Sequence, residues 1–335
     1  AEYVVSTIAT LVKRDELNAG DMAIMYRTNA QSRPLEEVFI RGNLPYRLVG
    51  ATRFYGRREV KDVIAFLRLA HNPNDTVSLQ RIINVPTRGI GAKTVETLFK
   101  AAEIAQATPS EILLDAERCK KVGGRGGVPL SEFGDLLRGW IESKSELPVA
   151  KLIDRILGDI DYNRYINDGT EEGDERWGNV IELRGVAVEY PQITLSEFLE
   201  QVALVSDQDT LTEGGGPTLL TLHAAKGLEF GTVFLIGLDE GVLPHERSFD
   251  DEESMAEERR LMYVGITRAK DRLFITRAFR RTTYGGADIM NPSRFLADLP
   301  DQLLTGNFSK ASRNSQAYER MTTWESSVKK DASKP

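Results

Sequence analysis

The sequence predicts an α/β fold in which a parallel sheet is interrupted by a mostly helical insert. Near both ends of the chain, short apolar strands alternate with helices, a rhythm typical of a parallel sheet. Between about residue 50 and residue 217 the strand pattern stops and helical spacing continues almost without a break. With 335 residues, the chain is long enough for two domains that each bury a core.

The first part of the sheet domain begins with a helix and a buried strand. Apolar residues at helical spacing predict a helix over 2–13, and the apolar run DMAIMYR predicts a strand over 21–27. A second helix is expected over 32–43, where Ser32 is placed to cap it. YRLVG predicts the next strand, over 46–50.

The insert is predicted to be helical, with glycine-rich or polar loops at VGGRGGVP (122–129) and SDQDTLTEGGGP (206–217). Its predicted helices cover 57–71, 75–85, 92–105, 109–119, 130–145, 148–157, 175–189 and 195–206. The sheet then resumes. Strands are predicted over 217–223, 232–238 and 272–278, and a helix over 254–270. The predicted domains are a sheet domain in two parts (1–50 and 214–305), a helical insert (51–213) and a flexible tail (306–335).

Composition is that of a soluble globular protein, with 41% hydrophobic and 28% charged residues. The apolar run TVFLIGL is too short to cross a bilayer, so no membrane association is expected. The single cysteine, Cys119, fits a reducing cytoplasm. Its neighbours Lys120 and Lys121 are expected to lower the thiol pKa, but no histidine lies nearby to make it catalytic.

The net charge of −7 argues against a surface that coats DNA generally, yet one segment is basic. Residues 41–68 hold only two carboxylates, Glu59 and Asp62. The cations of this segment are Arg41, Arg47, Arg53, Arg57, Arg58, Lys61 and Arg68. Charge alone favours a DNA contact and an ordinary solvated surface equally.

The string TLHAAKGLEF (221–230) places polar residues after a predicted strand, and ligands bind at the carboxyl ends of parallel strands. Gly227 is expected to let the chain turn sharply before Glu229, whose carboxylate suits a ribose hydroxyl. Thr221 and His223 are placed to meet a nucleic-acid phosphate. The simpler alternatives are that Glu229 caps a turn and that His223 is a core histidine with satisfied hydrogen bonds.

EERRLMYVGITRA (257–269) predicts a helix on which Leu261, Val264 and Arg268 share one stripe. Arg268 therefore faces a neighbour and needs an anion, because burying an unpaired guanidinium is costly. The γ-phosphate of a nucleotide on a facing domain is one such anion. The alternatives within the chain are Glu257, Glu258 and Asp271.

IINVPTRGIGAKTVETL (82–98) predicts a helix–hairpin–helix, in which Pro86 ends the first helix and Gly89, Ile90 and Gly91 form the hairpin. Glycines let the backbone approach DNA closely, and amides at a helix start bind anions. Further phosphate contacts are expected from Arg88, Lys93 and Thr94. The motif alone is equally compatible with an ordinary helix turn, but the basic segment beside it favours duplex binding.

Together these strings resemble the UvrD/PcrA/Rep group of superfamily 1A DNA helicases, whose fifth and sixth motifs match TLHAAKGLEF and EERRLMYVGITRA. Further similar strings are YRTNAQSR (26–33), RFYGRREVKDVIAFLRL (53–69), GLDEGVLPHERS (237–248) and SRFLADLP (293–300). The resemblance extends over roughly residues 1–305. It implies that the sheet domain is a RecA-like lobe, subdomain 2A, and that the insert is subdomain 2B.

By this resemblance Glu229, beside Gly227, contacts the nucleotide ribose, and Arg268 is the arginine finger on the γ-phosphate. The implied path of single-stranded DNA is lined by Arg27, Asn29, Thr221, His223, His245 and Tyr284. Tyr284, in RRTTYGG, is expected to stack on a base, and its alternative role is surface packing on the last strand.

The sequence contains no GxxxxGK[ST] P-loop and no metal-ligating set. ATP and Mg²⁺ are therefore expected to bind mainly to an N-terminal ATPase lobe that precedes Ala1, and the chain alone is not expected to hydrolyse ATP. The other expected partners are single-stranded DNA, a single-strand/duplex junction and DNA-repair proteins. The expected location is a bacterial-type cytoplasm, in association with the nucleoid.

The favoured hypothesis is the C-terminal half of an ATP-dependent DNA helicase that moves 3′ to 5′. The alternative is a non-catalytic DNA-binding or protein-interaction module. Glu229 and Arg268 favour the motor, because neither has a use without a nucleotide.

Overall fold

Two distant parts of the chain build one five-stranded sheet. The computed structural model describes residues 1–14, 17–208, 215–283 and 286–305. The strands are β1 (Met22–Tyr26), β2 (Arg47–Val49), β3 (Thr218–Thr221), β4 (Phe230–Leu235) and β5 (Ala269–Ile275). They lie in the order β2-β3-β1-β4-β5, and every pair is parallel, which confirms the predicted α/β fold.

Helices cover both faces of the sheet because β1 is apolar on both of its sides. Met22 and alternate residues after it pack against α1 (Glu2–Lys13) and α2 (Arg33–Arg41). Ala23 and its alternates face the opposite way, toward α13 (Glu252–Thr267). All five residues of β1 are fully buried, so a continuous apolar run is what this central strand requires.

Between the two parts of the sheet, the described residues 58–208 fold into ten helices, which confirms the helical insert. These are α3 (Arg58–His71), α4 (Thr76–Ile82), α5 (Ala92–Ile104), α6 (Pro109–Leu113), α7 (Ala116–Gly123), α8 (Gly127–Ser143), α9 (Val149–Asp159), α10 (Tyr162–Ile166), α11 (Glu171–Glu189) and α12 (Leu195–Gln208). They surround a hydrophobic core of their own, in which Trp140 contacts Phe66 and Phe133 edge-on. The domain limits at 50, 213 and 305 stay a prediction.

Arg57 joins the insert to the sheet domain where the chain passes from one to the other. Its side chain is 6% exposed. Its guanidinium donates to the main-chain oxygens of Asn29 and Thr52 and to the side chains of Ser32 and Asn179. Since Asn179 lies on α11, this one cation holds the start of the insert, its return helix and the α2 region together.

The structure corrects several local predictions. The single helix predicted over 109–119 is two helices, because Asp115 accepts hydrogen bonds from main-chain amides and starts α7. The predicted loop 122–129 is largely helical, and α10 was not predicted. Ser32 does stand before α2, but its hydroxyl donates to Glu36 at 2.5 Å instead of capping the helix.

Cys119 is buried in α7, and its thiol donates to the main-chain oxygens of Ile112 and Leu113 at 3.3 Å. Burial raises the pKa of the thiol to about 11, so the lowering expected from Lys120 and Lys121 is wrong. The predicted tail 306–335 lies outside the described residues. In the part of the chain that is described, no helix is long and apolar enough to cross a membrane.

Candidate functional site at the two edges of the sheet

Arg268 lies at the amino edge of the sheet, between the end of α13 and the start of β5. Its main-chain oxygen accepts a hydrogen bond from the amide of Phe230, the first residue of β4, at 2.9 Å. Its guanidinium donates to the main-chain oxygens of Leu228 and Val264 and to the hydroxyl of Thr267, at 3.1–3.2 Å. All three acceptors are neutral.

Arg268 has no carboxylate partner among the residues that the structure describes. Two of the alternatives from the sequence are engaged elsewhere, since Glu257 pairs with Arg260 and Glu258 pairs with Arg27. No ion pair joins Arg268 to the third alternative, Asp271, within the described chain. The amino edge therefore presents a cation that is held in place and has no counterion among the described residues.

Gly227 and Glu229 lie at the same amino edge as Arg268, which corrects their predicted place at the carboxyl edge. β3 and β4 both run parallel to β1, so the segment that joins them has to cross the sheet. It leaves β3 at Thr221, beside Tyr26 at the carboxyl edge, and enters β4 at the opposite edge. The local sequence shows the turn but not this crossing.

The Glu229 side chain is 57% exposed, and its nearest described cation is Lys270 at 3.7 Å. A loosely held, exposed carboxylate of this kind remains available to a ligand hydroxyl. Gly227 has φ +84°, which an L side chain rarely adopts, so the predicted sharp turn before Glu229 is confirmed. Together, an exposed carboxylate and an arginine without a counterion among the described residues lie at one corner of the sheet.

Arg27 marks the carboxyl edge, directly after β1, and is held between two carboxylates. Its side chain is 9% exposed, and Glu258 of α13 accepts from its Nε at 2.9 Å and its Nη2 at 2.8 Å. Glu171, from the first turn of α11, lies 2.9 Å from Nη2. Although burial raises the pKa of the Glu171 carboxyl, Arg27 more than offsets this, and the pKa lies below its usual value.

The two predicted track histidines share a cavity of about 340 Å³ with Arg27. His223 is exposed, so the alternative that it is a core histidine is wrong. The amide of His245 donates to Glu258 at 3.0 Å, and burial together with Arg27 lowers the pKa of the His245 imidazole. The hydroxyl of Thr221 accepts from the amide of Ala224 at 3.2 Å, so it supports the turn after β3.

Helix α11 covers this carboxyl edge with acidic side chains, a feature that sequence reasoning missed. Besides Glu171, Asp174 pairs with Arg247, and Glu175 accepts from the Asn29 amide at 2.8 Å. The contacts join residues 73 and 146 positions apart, so no local pattern indicates them. Carboxylates of the insert thus engage Arg27 and Asn29, which are predicted to line the DNA track, and the neighbouring Arg247.

The sequence analysis named Glu258 only as a possible partner of Arg268 and missed its role at the carboxyl edge, although a signal for a buried role exists in the sequence. It shares a helical face with Leu261, Met262 and Gly265, all of which are buried. A carboxylate on such a face requires buried partners, which it finds in Arg27 and His245.

The predicted hairpin connects α4 and α5. Gly89 has φ +80°, and Gly91 precedes the first residue of α5 with no atom within 4 Å of where a Cβ would stand. The Asn84 side chain accepts from the amides of Arg88 and Ile90, at 2.9 and 3.3 Å, and fixes the turn. Sequence reasoning did not single out Asn84.

Arg88 packs inward instead of presenting its charge beside the hairpin. It lies over the Phe133 ring at 4.7 Å and donates to the main-chain oxygen of Val85 at 2.7 Å. Burial lowers the pKa of Arg88 to about 10. Thr94 also faces the protein, against Gly126, so Lys93 is the exposed one of the three predicted phosphate contacts.

Tyr284 lies outside the described residues. The segments that flank it in the sequence form two antiparallel strands, β6 (Arg280–Thr283) and β7 (Gly286–Ile289). Within the described residues, no group of His, Cys, Asp and Glu side chains is arranged to hold a metal ion.

Comparison with known proteins identifies a matching family. The model of the UvrD-like helicase C-terminal domain matches residues 1–118 and 142–279. The chain is 39% identical over 329 residues to the ATP-dependent DNA helicase PcrA of Bacillus subtilis (strain 168), covering 94% of the chain and 44% of that protein. It is 36% identical over 326 residues to PcrA of Leuconostoc citreum, with the same two coverages. The chain therefore spans less than half the length of these relatives.

Proposed function

The chain belongs to the family of UvrD-like helicase C-terminal domains, and on that premise we propose that it is the C-terminal half of an ATP-dependent DNA helicase moving 3′ to 5′ on single-stranded DNA. In this proposal the sheet domain is subdomain 2A, which supplies an arginine finger and part of the DNA track. The helical insert is subdomain 2B, which either binds the duplex at the junction or acts there as a regulatory element. DNA-repair partners and association with the nucleoid stay predictions.

Arg268 supports this proposal most strongly. It is fixed by three neutral acceptors, lacks a counterion in the described chain, and lies beside the exposed Glu229. In phosphoryl transfer, negative charge spreads over the γ-phosphate oxygens, and an arginine placed against them stabilises the transition state. Because this sequence contains no P-loop, we assign most of the ATP and Mg²⁺ binding to an N-terminal lobe that faces this corner.

Helix α13 provides a physical connection between the two edges. With 16 residues it is about 24 Å long. Glu258, near its middle, holds Arg27 and the His245 amide at the carboxyl edge, and Arg268 follows its last residue at the amino edge. A shift of α13 when a nucleotide engages Arg268 would therefore move the groups that line the proposed DNA track.

Single-stranded DNA on this track has to displace carboxylates of the insert. A phosphate that reaches Arg27 meets Glu171 already there, and Arg247 is engaged by Asp174. In the proposed cycle the first turn of α11 therefore moves away as the strand enters, which links DNA binding to the position of the insert.

Glu171→Gln is expected to strengthen binding of single-stranded DNA by about 1.5- to 5-fold, the range that corresponds to removing a competing, partly exposed ion pair worth about 0.2–1 kcal/mol. Fluorescence anisotropy of a labelled oligonucleotide, titrated with the chain at several salt concentrations, measures the effect. Glu172→Gln is the matched control, because Glu172 lies next to Glu171, is 81% exposed and, of the cations that the structure describes, approaches only Arg176. Equal affinities for the two variants would contradict the proposed track at Arg27, and so would absence of any single-strand binding.

A further inference from the structure

A short basic segment beside the hairpin has no role in the function proposed so far. Residues 118–127, with the sequence RCKKVGGRGG, contain four cations and no carboxylate in a chain whose net charge is −7. The family model matches residues 1–118 and 142–279, so nearly all of this segment falls in its unmatched stretch.

The glycines of this segment bring it against the first turn of α5. A Cβ on Gly126 would stand 2.7 Å from the Thr94 hydroxyl, and a Cβ on Gly127 would stand 2.9 Å from the Lys120 Cα. Neither approach is possible with a larger residue unless the chain moves. The turn that follows α7 is therefore packed against Thr94, in the first turn of α5.

The exposed cations around this junction of α7 and α5 are only weakly neutralised. Lys120 is 54% exposed and pairs with Glu117, itself 77% exposed, at 3.1 Å. Lys93 and Lys121 are exposed and have no carboxylate within ion-pair distance among the described residues. Such cations remain available to a polyanion, because an exposed ion pair like that of Lys120 contributes little free energy.

We propose that residues 118–127 form a second contact with duplex DNA, in which Lys120, Lys121 and the glycine-rich backbone bind phosphates next to those bound by the Gly89–Gly91 hairpin. The proposal rests on the proposed function of the insert and extends it to a segment that the family model does not cover. Contact between a glycine-rich, basic turn and phosphates is independent of sequence and weakens with salt. Its position beside the hairpin favours the same duplex over an acidic protein partner.

The test is binding of a labelled blunt duplex to the whole chain, measured by anisotropy across salt. For each phosphate that the double variant Lys120→Ala/Lys121→Ala no longer binds, duplex affinity is expected to fall about eightfold at about 0.1 M salt. The slope of log affinity against log salt concentration should become shallower by about 0.9 per lost phosphate. The matched control is Lys13→Ala/Lys151→Ala, which removes two exposed charges from α1 and α9. It is expected to bind like the original chain.

Gly91→Val reports separately on the hairpin, since a Cβ at Gly91 meets no protein atom and the variant should fold. If Gly91→Val weakens binding but Lys120→Ala/Lys121→Ala matches its control, the proposed second contact is wrong and the result supports duplex binding by the hairpin. If only the lysine variant weakens binding, the result supports the second contact and contradicts duplex binding by the hairpin. Absence of duplex binding by the original chain at low salt would overturn both.

Discussion

Arg268→Ala is expected to lower DNA-stimulated ATP hydrolysis by about 10³- to 10⁵-fold when the chain works with a lobe that supplies the P-loop. The guanidinium is already oriented by Leu228, Val264 and Thr267, so it can stabilise transition-state charge without reorganising. The decrease should appear in kcat, measured under saturating ATP and DNA, while affinity for single-stranded DNA in the absence of nucleotide stays unchanged. Arg268→Lys keeps the charge but lacks the planar fork, and should recover only part of the rate.

Arg260→Ala is the control for this prediction. Arg260 lies on the same helix, two turns before Arg268, but it is 72% exposed and, within the described chain, its one ion pair is with Glu257 on the helix surface. Its removal should leave the rate nearly unchanged. Equal activity of the Arg268→Ala and Arg260→Ala proteins would show that Arg268 is structural and that the finger is another residue.

Arg57→Ala is expected to lower the free energy of unfolding by about 3–5 kcal/mol, as is usual when one partner is removed from a buried charged network. The change leaves the side chains of Ser32 and Asn179 without a donor and removes the cation nearest to Glu36, which is buried 3.8 Å away. Urea unfolding followed by far-ultraviolet circular dichroism measures the decrease. Because Arg57 joins the sheet domain to the insert, the variant should also unfold in a less cooperative transition.

Arg58→Ala is the neighbouring control, since the Arg58 side chain is 73% exposed and its nearest carboxylate, Asp62, is 4.0 Å away. It should change stability by no more than about 0.5 kcal/mol. Equal stability of the two variants would mean that Arg57 does not hold the two parts together.

The sequence predicts the sheet and most helices because their signals are local. The run MAIMY reads as a strand buried on both faces, and in the structure both faces of β1 are covered by helices. Helical spacing likewise marks α1, α3 and α5 within a residue or two of their observed ends. The break between α6 and α7 was missed because it depends on one hydrogen-bonding aspartate, Asp115, within an otherwise helical pattern.

The candidate site was predictable in its residues but not in its arrangement. Motif resemblance points to Arg268 and Glu229, yet only the strand order shows that they share the amino edge while His223 lies at the opposite one. The ion pair between Arg27 and Glu171 joins elements far apart in the chain, so charge patterning along the sequence does not reveal it. The proposal that the insert competes with DNA therefore rests on the tertiary structure and could not be made from local sequence patterns.

Whether this chain is half of a DNA motor can be measured by ATP hydrolysis of the chain joined at Ala1 to an N-terminal lobe with a P-loop, because fusion removes the need for the two parts to find each other. Hydrolysis is measured for the chain, the lobe and the fusion, each with and without single-stranded DNA. Only the fusion is expected to hydrolyse ATP rapidly, and DNA is expected to stimulate it. Hydrolysis by the chain alone, or a folded fusion no faster than the lobe, would contradict the assignment of this chain as half of a DNA motor.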